Sequence, residues 1–425
     1  LITGAALPDY PVEDLREGFK DNGYRADDSV TFVGWMKDMP AEAWEKGRSV
    51  EILRNNIFMD KQESFVAAMD STGRFSVRVP LVNTSEIYID IGRKGINTVV
   101  EPGETYFLLH DFSTGHVLFM GEDVRLQNEL QTHPPLYVDG YLRKGQGTVD
   151  EFRIQMEEKY RHAVEELSRR VEEHPNLSRR YRYYMESFAL TGLGRSMMQA
   201  RFVVPDWQLP EDYVDFVRTK VWQRPSKPYT LCQNFGILMR DYIGHFSEAK
   251  DKARGNAVFN AFKRLRQQGE ISMTEEEANT VEAYQLAVRE LQEKLNAEPS
   301  DSLRQRMVVE LGKSELSQRF MSLVTRFEDV LNEEILIDNI DFWKEDAESV
   351  GCDSILCQIH LARKLYGLID NMRKPLPDRM MAKAEWGIRL EGGWDIVSRE
   401  QEKYVSIQNR DLSDVSSLRS AEDVK

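Results

Sequence analysis

Two histidines, His110 and His116, flank the turn from Asp111 to Gly115, and a hairpin there could bring both onto one metal ion with the Asp111 carboxylate. A third histidine at strand or helix spacing is missing, so the set reads as ordinary surface groups beside a turn. The acidic run from Glu333 to Glu348 places Asp338, Asp341 and Glu345 at helical spacing, where one face could hold a divalent cation. No glycine and closing glutamate fall in the register of an EF-hand loop, which leaves a solvated acidic face. Cys232, Cys352 and Cys357 are too few for a disulfide framework and lack C-x-x-C spacing. Cys352 and Cys357 are five apart, on different faces of a helix, so buried free thiols are expected rather than a redox pair.

Two further stretches imitate binding motifs. Thr191-Gly192-Leu193-Gly194 contains a G-x-G but no third glycine, and it is read as an interruption of a helix. Arg179-Arg180-Tyr181-Arg182-Tyr183-Tyr184 has the composition of a base-stacking patch. A helix with Tyr181, Tyr184 and Phe188 inward and its arginines outward accounts for it equally. There is no G-x-S-x-G nucleophile elbow, no phosphate loop and no H-E-x-x-H, and no carboxylate pair for glycoside hydrolysis stands out among 71 acidic residues. No catalytic, cofactor-binding or metal-binding residue is therefore assigned.

The elements that would position any site fall into two kinds. From Val30 to Met120, short runs alternate polar and apolar residues between turn signals: Thr31–Trp35, Val50–Leu53, Phe65–Met69, Arg74–Val79, Glu86–Ile91, Thr98–Val100, Tyr106–Phe112 and His116–Met120. Such spacing predicts a small antiparallel β-sandwich, with Asp70-Ser71-Thr72-Gly73 closing a hairpin between the third and fourth runs. After Gly121 the apolar period becomes about 3.6, with Glu122-Asp123 placed to start a helix. Helices are expected over 148–173, 177–200, 211–222, 230–248, 256–268, 275–297, 302–332, 333–349, 353–372, 377–391 and 395–407. Thr274-x-x-Glu277 is a capping box at the start of one of them.

The organisation expected is α+β: a leading segment at 1–29, the sandwich at 30–121, an all-α multi-helix domain at 122–408 and a polar linker at 409–425. Hydrophobic residues at 41% and charged residues at 30% describe a water-facing chain with ample core material. No apolar run approaches the roughly 18–20 residues of a transmembrane helix. A net charge of −15 repels phosphate backbones and argues against general nucleic-acid binding. The chain begins at Leu1 rather than Met and without a leader pattern, which suggests processing or excision from a longer protein.

A resemblance adds to this reading. Glu101-Pro102-Gly103-Glu104-Thr105, Leu118-Phe119-Met120-Gly121 and Arg125-Leu126-Gln127-Asn128-Glu129-Leu130 resemble the N-terminal extension of TlpA-like thiol:disulfide oxidoreductases of Gram-negative bacteria. Asp70-x-x-Gly73-x-Phe75, Asp353-Ser354-Ile355-Leu356 and Pro375-Leu376-Pro377 agree in order, and the likeness covers Thr31 to Lys383. It implies a periplasmic or cell-envelope location and a thioredoxin-like domain following Lys425, whose W-C-x-x-C first cysteine attacks disulfides as a thiolate. No residue of this chain matches that redox motif, so no catalytic residue is carried over. The implied role is a non-catalytic scaffold that binds protein clients or a fused thioredoxin-like domain, with a homodimer as a further partner. Two other roles stand beside it: a stand-alone peptide- or glycan-binding module, with a groove lined by Trp207, Trp222, Trp343 or Trp394, and a hydrolase or metalloenzyme with an unrecognised site.

Overall fold

The computed structural model describes residues 16–91, 95–253 and 257–409. The expected linker beyond Asn409 and the first half of the leading segment lie outside the described residues. Eight strands form first: β1 (Ser29–Lys37), β2 (Ser49–Asn56), β3 (Lys61–Ala68), β4 (Arg74–Pro80), β5 (Ser85–Asp90), β6 (Gly95–Val100), β7 (Thr105–Asp111) and β8 (His116–Met120). A short helix, α1 (Ala41–Lys46), joins β1 to β2. Two four-stranded sheets result, in the orders β4-β1-β7-β8 and β3-β2-β5-β6.

The polar and apolar alternation does what the period of two requires. Phe32, Ile52, Ile87, Ile89, Leu108 and Phe119 from both sheets meet in one buried core. All strand pairs are antiparallel except β1 with β7, which run parallel from Thr31↔Thr105 to Lys37↔Asp111. The hairpin expected at Asp70–Gly73 is not one: β3 pairs with β2, β4 pairs with β1, and the turn carries the chain from one sheet to the other. Alternation specifies the buried face of each strand but not its neighbour.

The helices are α2 (Arg125–Thr132), α3 (Val149–Glu173), α4 (Arg179–Gln199), α5 (Glu211–Val217, continued by a π turn to Trp222), α6 (Phe235–Ala253), α7 (Ala257–Gln268), α8 (Glu275–Ala297), α9 (Asp301–Lys313), α10 (Glu315–Arg326), α11 (Glu328–Ser349), α12 (Ser354–Met372), α13 (Asp378–Gly387) and α14 (Glu391–Gln408). The capping box at α8 is formed, with Glu277 N donating to Thr274 Oγ1 at 3.2 Å and Thr274 N to the Glu277 carboxylate at 2.8 Å. The single helix expected over 302–332 is divided, because Ser314 takes an extended conformation and accepts from Ser317 N at 3.1 Å, starting α10 afresh. Gly192 and Gly194 do not interrupt α4. They let it pack closely: a Cβ on Gly192 would lie 2.6 Å from the Val138 carbonyl oxygen.

Two compact units divide the chain differently from the change of period at Gly121. Of the described residues, one holds those up to His245 with Ala347–Pro375 and those from Ile388 on, so the sandwich shares it with several helices; the other holds those within Phe246–Asp346 and Leu376–Gly387. The second unit has its own core, in which Phe259, Phe262, Leu265, Val281, Phe320 and Leu323 are buried.

In the first unit, α2 closes the sandwich. Gln127 Nε2 donates to the carbonyl of Val99 on edge strand β6 at 2.7 Å. Its neighbour Asn128 serves the other sheet's edge strand β8, accepting from Phe119 N at 2.9 Å and donating to Phe119 O at 3.0 Å. One helical turn thus satisfies backbone groups at an open edge of each sheet. Glu129 accepts from Arg125 Nε at 3.0 Å and from Ser178, the N-cap of α4, through both its N–H (2.9 Å) and its hydroxyl. Asp123 does not sit in the first turn of α2; it is gripped by both terminal nitrogens of Arg180, at 3.0 and 2.5 Å, and pairs with Arg16. Arg180 is fully buried and also lies 3.5 Å from Glu101, which corrects the expectation that the arginines of this helix face outward.

Candidate functional site

The residues singled out in sequence are not brought together as sites. His110 is buried and stacks on Phe112 with ring centroids 4.1 Å apart, whereas His116 is exposed. Neighbouring positions on a strand face opposite ways, so Asp111 turns instead to Lys37 Nζ at 2.6 Å and Ser113 Oγ at 2.6 Å. The Lys37 ammonium, with Ser113, holds the Asp111 carboxyl well below the usual carboxylate range. Asp338 and Asp341 are paired with Arg264 (3.3 Å) and Lys383 (2.6 Å), and Glu345 is exposed. Among the described residues no cluster of three metal-ligating side chains is present. Trp222 is buried and stacked on Tyr242, Trp207 is exposed, and Trp343 and Trp394 are half-buried.

None of the three cysteines is in a disulfide. Cys232 and Cys357 are buried; Cys352 precedes α12 rather than lying on a helix with Cys357, whose Sγ is 3.6 Å from the Cys352 carbonyl. Burial pushes the Cys232 and Cys352 thiols well up, with Glu86 adding to the first and Cys357 to the second.

A site of a different kind lies on the outer face of the β3-β2-β5-β6 sheet. On β5, Ile87 and Ile89 point into the sandwich, so Glu86 points the other way, and it is 2% exposed because helices cover that face. Glu86 shares a cleft of about 150 Å³ with Asn55, Asp60, Gln233, Arg240 and Arg363. The sheet supplies Asn55 and Glu86, the turn between β2 and β3 supplies Asp60, the residues entering α6 supply Gln233, and α6 and α12 supply the arginines.

The lining is tied together by hydrogen bonds. Gln233 donates to both oxygens of Glu86, through its backbone N–H and its side-chain amide, each at 3.0 Å. Asn55 Nδ2 donates in turn to Gln233 Oε1 at 3.3 Å. Asp60 has a positive φ of 55°, a conformation L residues adopt only where the surroundings enforce it. Its carboxylate receives Arg363 and Arg240, the latter at 3.1 Å, while Arg363 also donates to the Gly236 carbonyl at 2.7 Å. Lys61 at the rim donates to Asp370 at 2.9 Å.

The electrostatics separate the acid from the bases. Burial pushes the Glu86 carboxyl up to about 7, against the opposing pull of Gln233 and of Tyr184, whose hydroxyl is near but makes no hydrogen bond of regular geometry. Burial draws Arg363 down to about 10, with Asp60 opposing, so it stays charged. Burial alone would lower Arg240, but Asp241 and Asp60 together raise it. At neutral pH the cleft therefore combines fixed, neutralised cations with one carboxyl poised between its two forms. It can accept or donate a proton and offer several carboxamides to a ligand.

Most of these residues carry no signal in the sequence. Glu86 is the polar member of a regular alternation, indistinguishable from a solvent-facing one. Arg363 does carry a signal: it interrupts Ile359 to Ile369, a stretch of α12 buried on nearly every side, where a charge requires a partner. A second cleft, of about 620 Å³ in the other unit, is rimmed by exposed Lys263, Arg266 and Arg289, whose charges water screens. Comparison with protein-family models, with curated proteins and with solved structures finds no match to this chain.

Proposed function

We propose that this chain is the non-catalytic, partner-binding region of a periplasmic or cell-envelope thiol:disulfide oxidoreductase of the TlpA-like kind, and that the Glu86 cleft is where it holds its partner. The observation that carries the binding role is the cleft itself: the buried Glu86 carboxyl, the buried Arg363, the more exposed Arg240 and carboxamides preorganised around a cavity no neighbouring side chain fills. The oxidoreductase context rests on the resemblance. Cys232, buried, and Cys352, half-buried, have thiols pushed up and are poor nucleophiles at neutral pH, which supports leaving the exchange chemistry to another domain.

Two experiments test this. The chain should not accelerate reduction of insulin by dithiothreitol, and the gene read on past Lys425 should encode a Cys-x-x-Cys motif; turnover, or a stop codon in its place, contradicts the oxidoreductase context. Unstructured peptides titrated by fluorescence anisotropy should bind saturably and lose binding when Ile237, which lines the cleft from α6, is enlarged in Ile237→Phe; binding indifferent to that change contradicts the placement. The carboxamide lining also favours a stand-alone peptide- or glycan-binding module, the reading that survives if only the gene test fails.

A further inference from the structure

The ionic partners in the cleft do not balance evenly. Each of its cations already has a carboxylate: Lys61 has Asp370, Arg240 has Asp60 and Asp241, and Arg363 has Asp60. Glu86 is different. Its two oxygens meet only neutral groups, the two donors of Gln233 with the Tyr184 hydroxyl nearby, and no cation acts on it at close range among the described residues. The other titratable groups coupled to it, Tyr137, Tyr184 and Cys232, are neutral at neutral pH. An ionised carboxylate buried without a counter-charge is unfavourable, so the charge this cleft lacks is positive.

We propose that the cleft receives a primary ammonium group, which donates to Glu86 and completes the ion pair that the chain itself leaves unmade. This rests on the reading that the cleft is the binding site and names its ligand chemistry. A guanidinium fits less well, because its fork needs both carboxylate oxygens in one plane and Gln233 already occupies each. A single-point ammonium needs only one remaining lone pair. At about 150 Å³ the cavity is smaller than the roughly 300–1,000 Å³ of drug-sized sites, which suits an aminoalkyl group rather than a larger ligand. The ammonium belongs either to a small free amine or to a lysine side chain of a polypeptide partner. Pairing favours the ionised form of Glu86, so binding near pH 7 expels a proton.

The test is calorimetry of the full chain at pH 7, in two buffers of different ionisation enthalpy, with n-butylamine, N-acetyl-lysine methylamide, N-acetyl-arginine methylamide and neutral n-butanol. The two amines should bind saturably with proton release, and the arginine and neutral probes more weakly. Glu86→Gln should weaken amine binding about tenfold or more and abolish the proton release. Ile237→Phe, which leaves the charges in place, should also block binding. A lysine probe tighter than butylamine identifies a polypeptide partner, and equal affinities a small amine. Amine binding unchanged in either variant, or unaccompanied by proton release, overturns the proposal. If amines fail while peptides still bind in an Ile237-dependent way, the ammonium assignment falls and the binding site stands; if neither binds, both fall.

Discussion

The joint at α2 and the cleft at Glu86 bury the same kinds of side chain and put them to opposite uses. At the joint, Glu101, Asp123 and Glu129 each face an arginine, and the adjacent backbone of Val99 and Phe119 is satisfied by Gln127 and Asn128. Every carboxylate there has its opposite charge, although Glu101 Oε2 and Gln127 Oε1 accept no hydrogen bond. In the cleft, the arginines have carboxylate partners while the acid meets no cation, and a cavity adjoins it. The difference teaches that buried charge is not itself the mark of a site; the mark is buried charge whose partner is missing and which has room to receive one.

Removing Arg180 should break the joint most severely. Arg180→Met leaves the buried Glu101 and the half-buried Asp123 without it and should destabilise the chain by about 3–5 kcal/mol in urea unfolding; a loss under about 1 kcal/mol would make the joint as dispensable as a surface pair. Next in size is the pH dependence set by Glu86. Its folded carboxyl holds a proton up to about 7, whereas an unfolded one releases it near 4.5. The stabilisation from that proton is complete below about 4.5 and lost as pH rises to about 7, a fall of about 3 kcal/mol. Glu86→Gln should not show this fall, and the difference between the two stability curves isolates it from other carboxylates. Parallel curves would show that Glu86 ionises freely.

Asn128→Ala strips partners from the Phe119 N–H and C=O and should cost about 2 kcal/mol, read as a shift in the urea midpoint. The smallest effect belongs to the acidic run. Lys383→Ala frees Asp341 on a half-exposed surface and should change stability by under about 1 kcal/mol, with no dependence on added divalent cations.

Much of this fold is legible in the sequence because alternation and helical period report burial directly. The strands from Val30 to Met120 and the helix capped by Thr274 and Glu277 follow from such patterns. Strand partners do not: the Asp70–Gly73 turn has hairpin chemistry but connects two sheets. Residue type misleads where a charge is buried in a pair, as with Arg180, whose carboxylate partners are remote in sequence. The stretch from Arg125 to Leu130 stands out for its polar residues, and the structure gives each of Arg125, Gln127, Asn128 and Glu129 a joint to hold. Glu86 stands out not at all, since a polar residue facing helices and one facing water look alike on a strand. Only the three-dimensional contacts separate the two.

The most direct test is a titration of the Glu86 side-chain carboxyl, followed by its ¹³C resonance and assigned by its loss in Glu86→Gln. A midpoint near 7 in the free chain, moving down when n-butylamine is added, is the expected result. A midpoint in the ordinary carboxylate range near 4.5, unmoved by the amine, would contradict it.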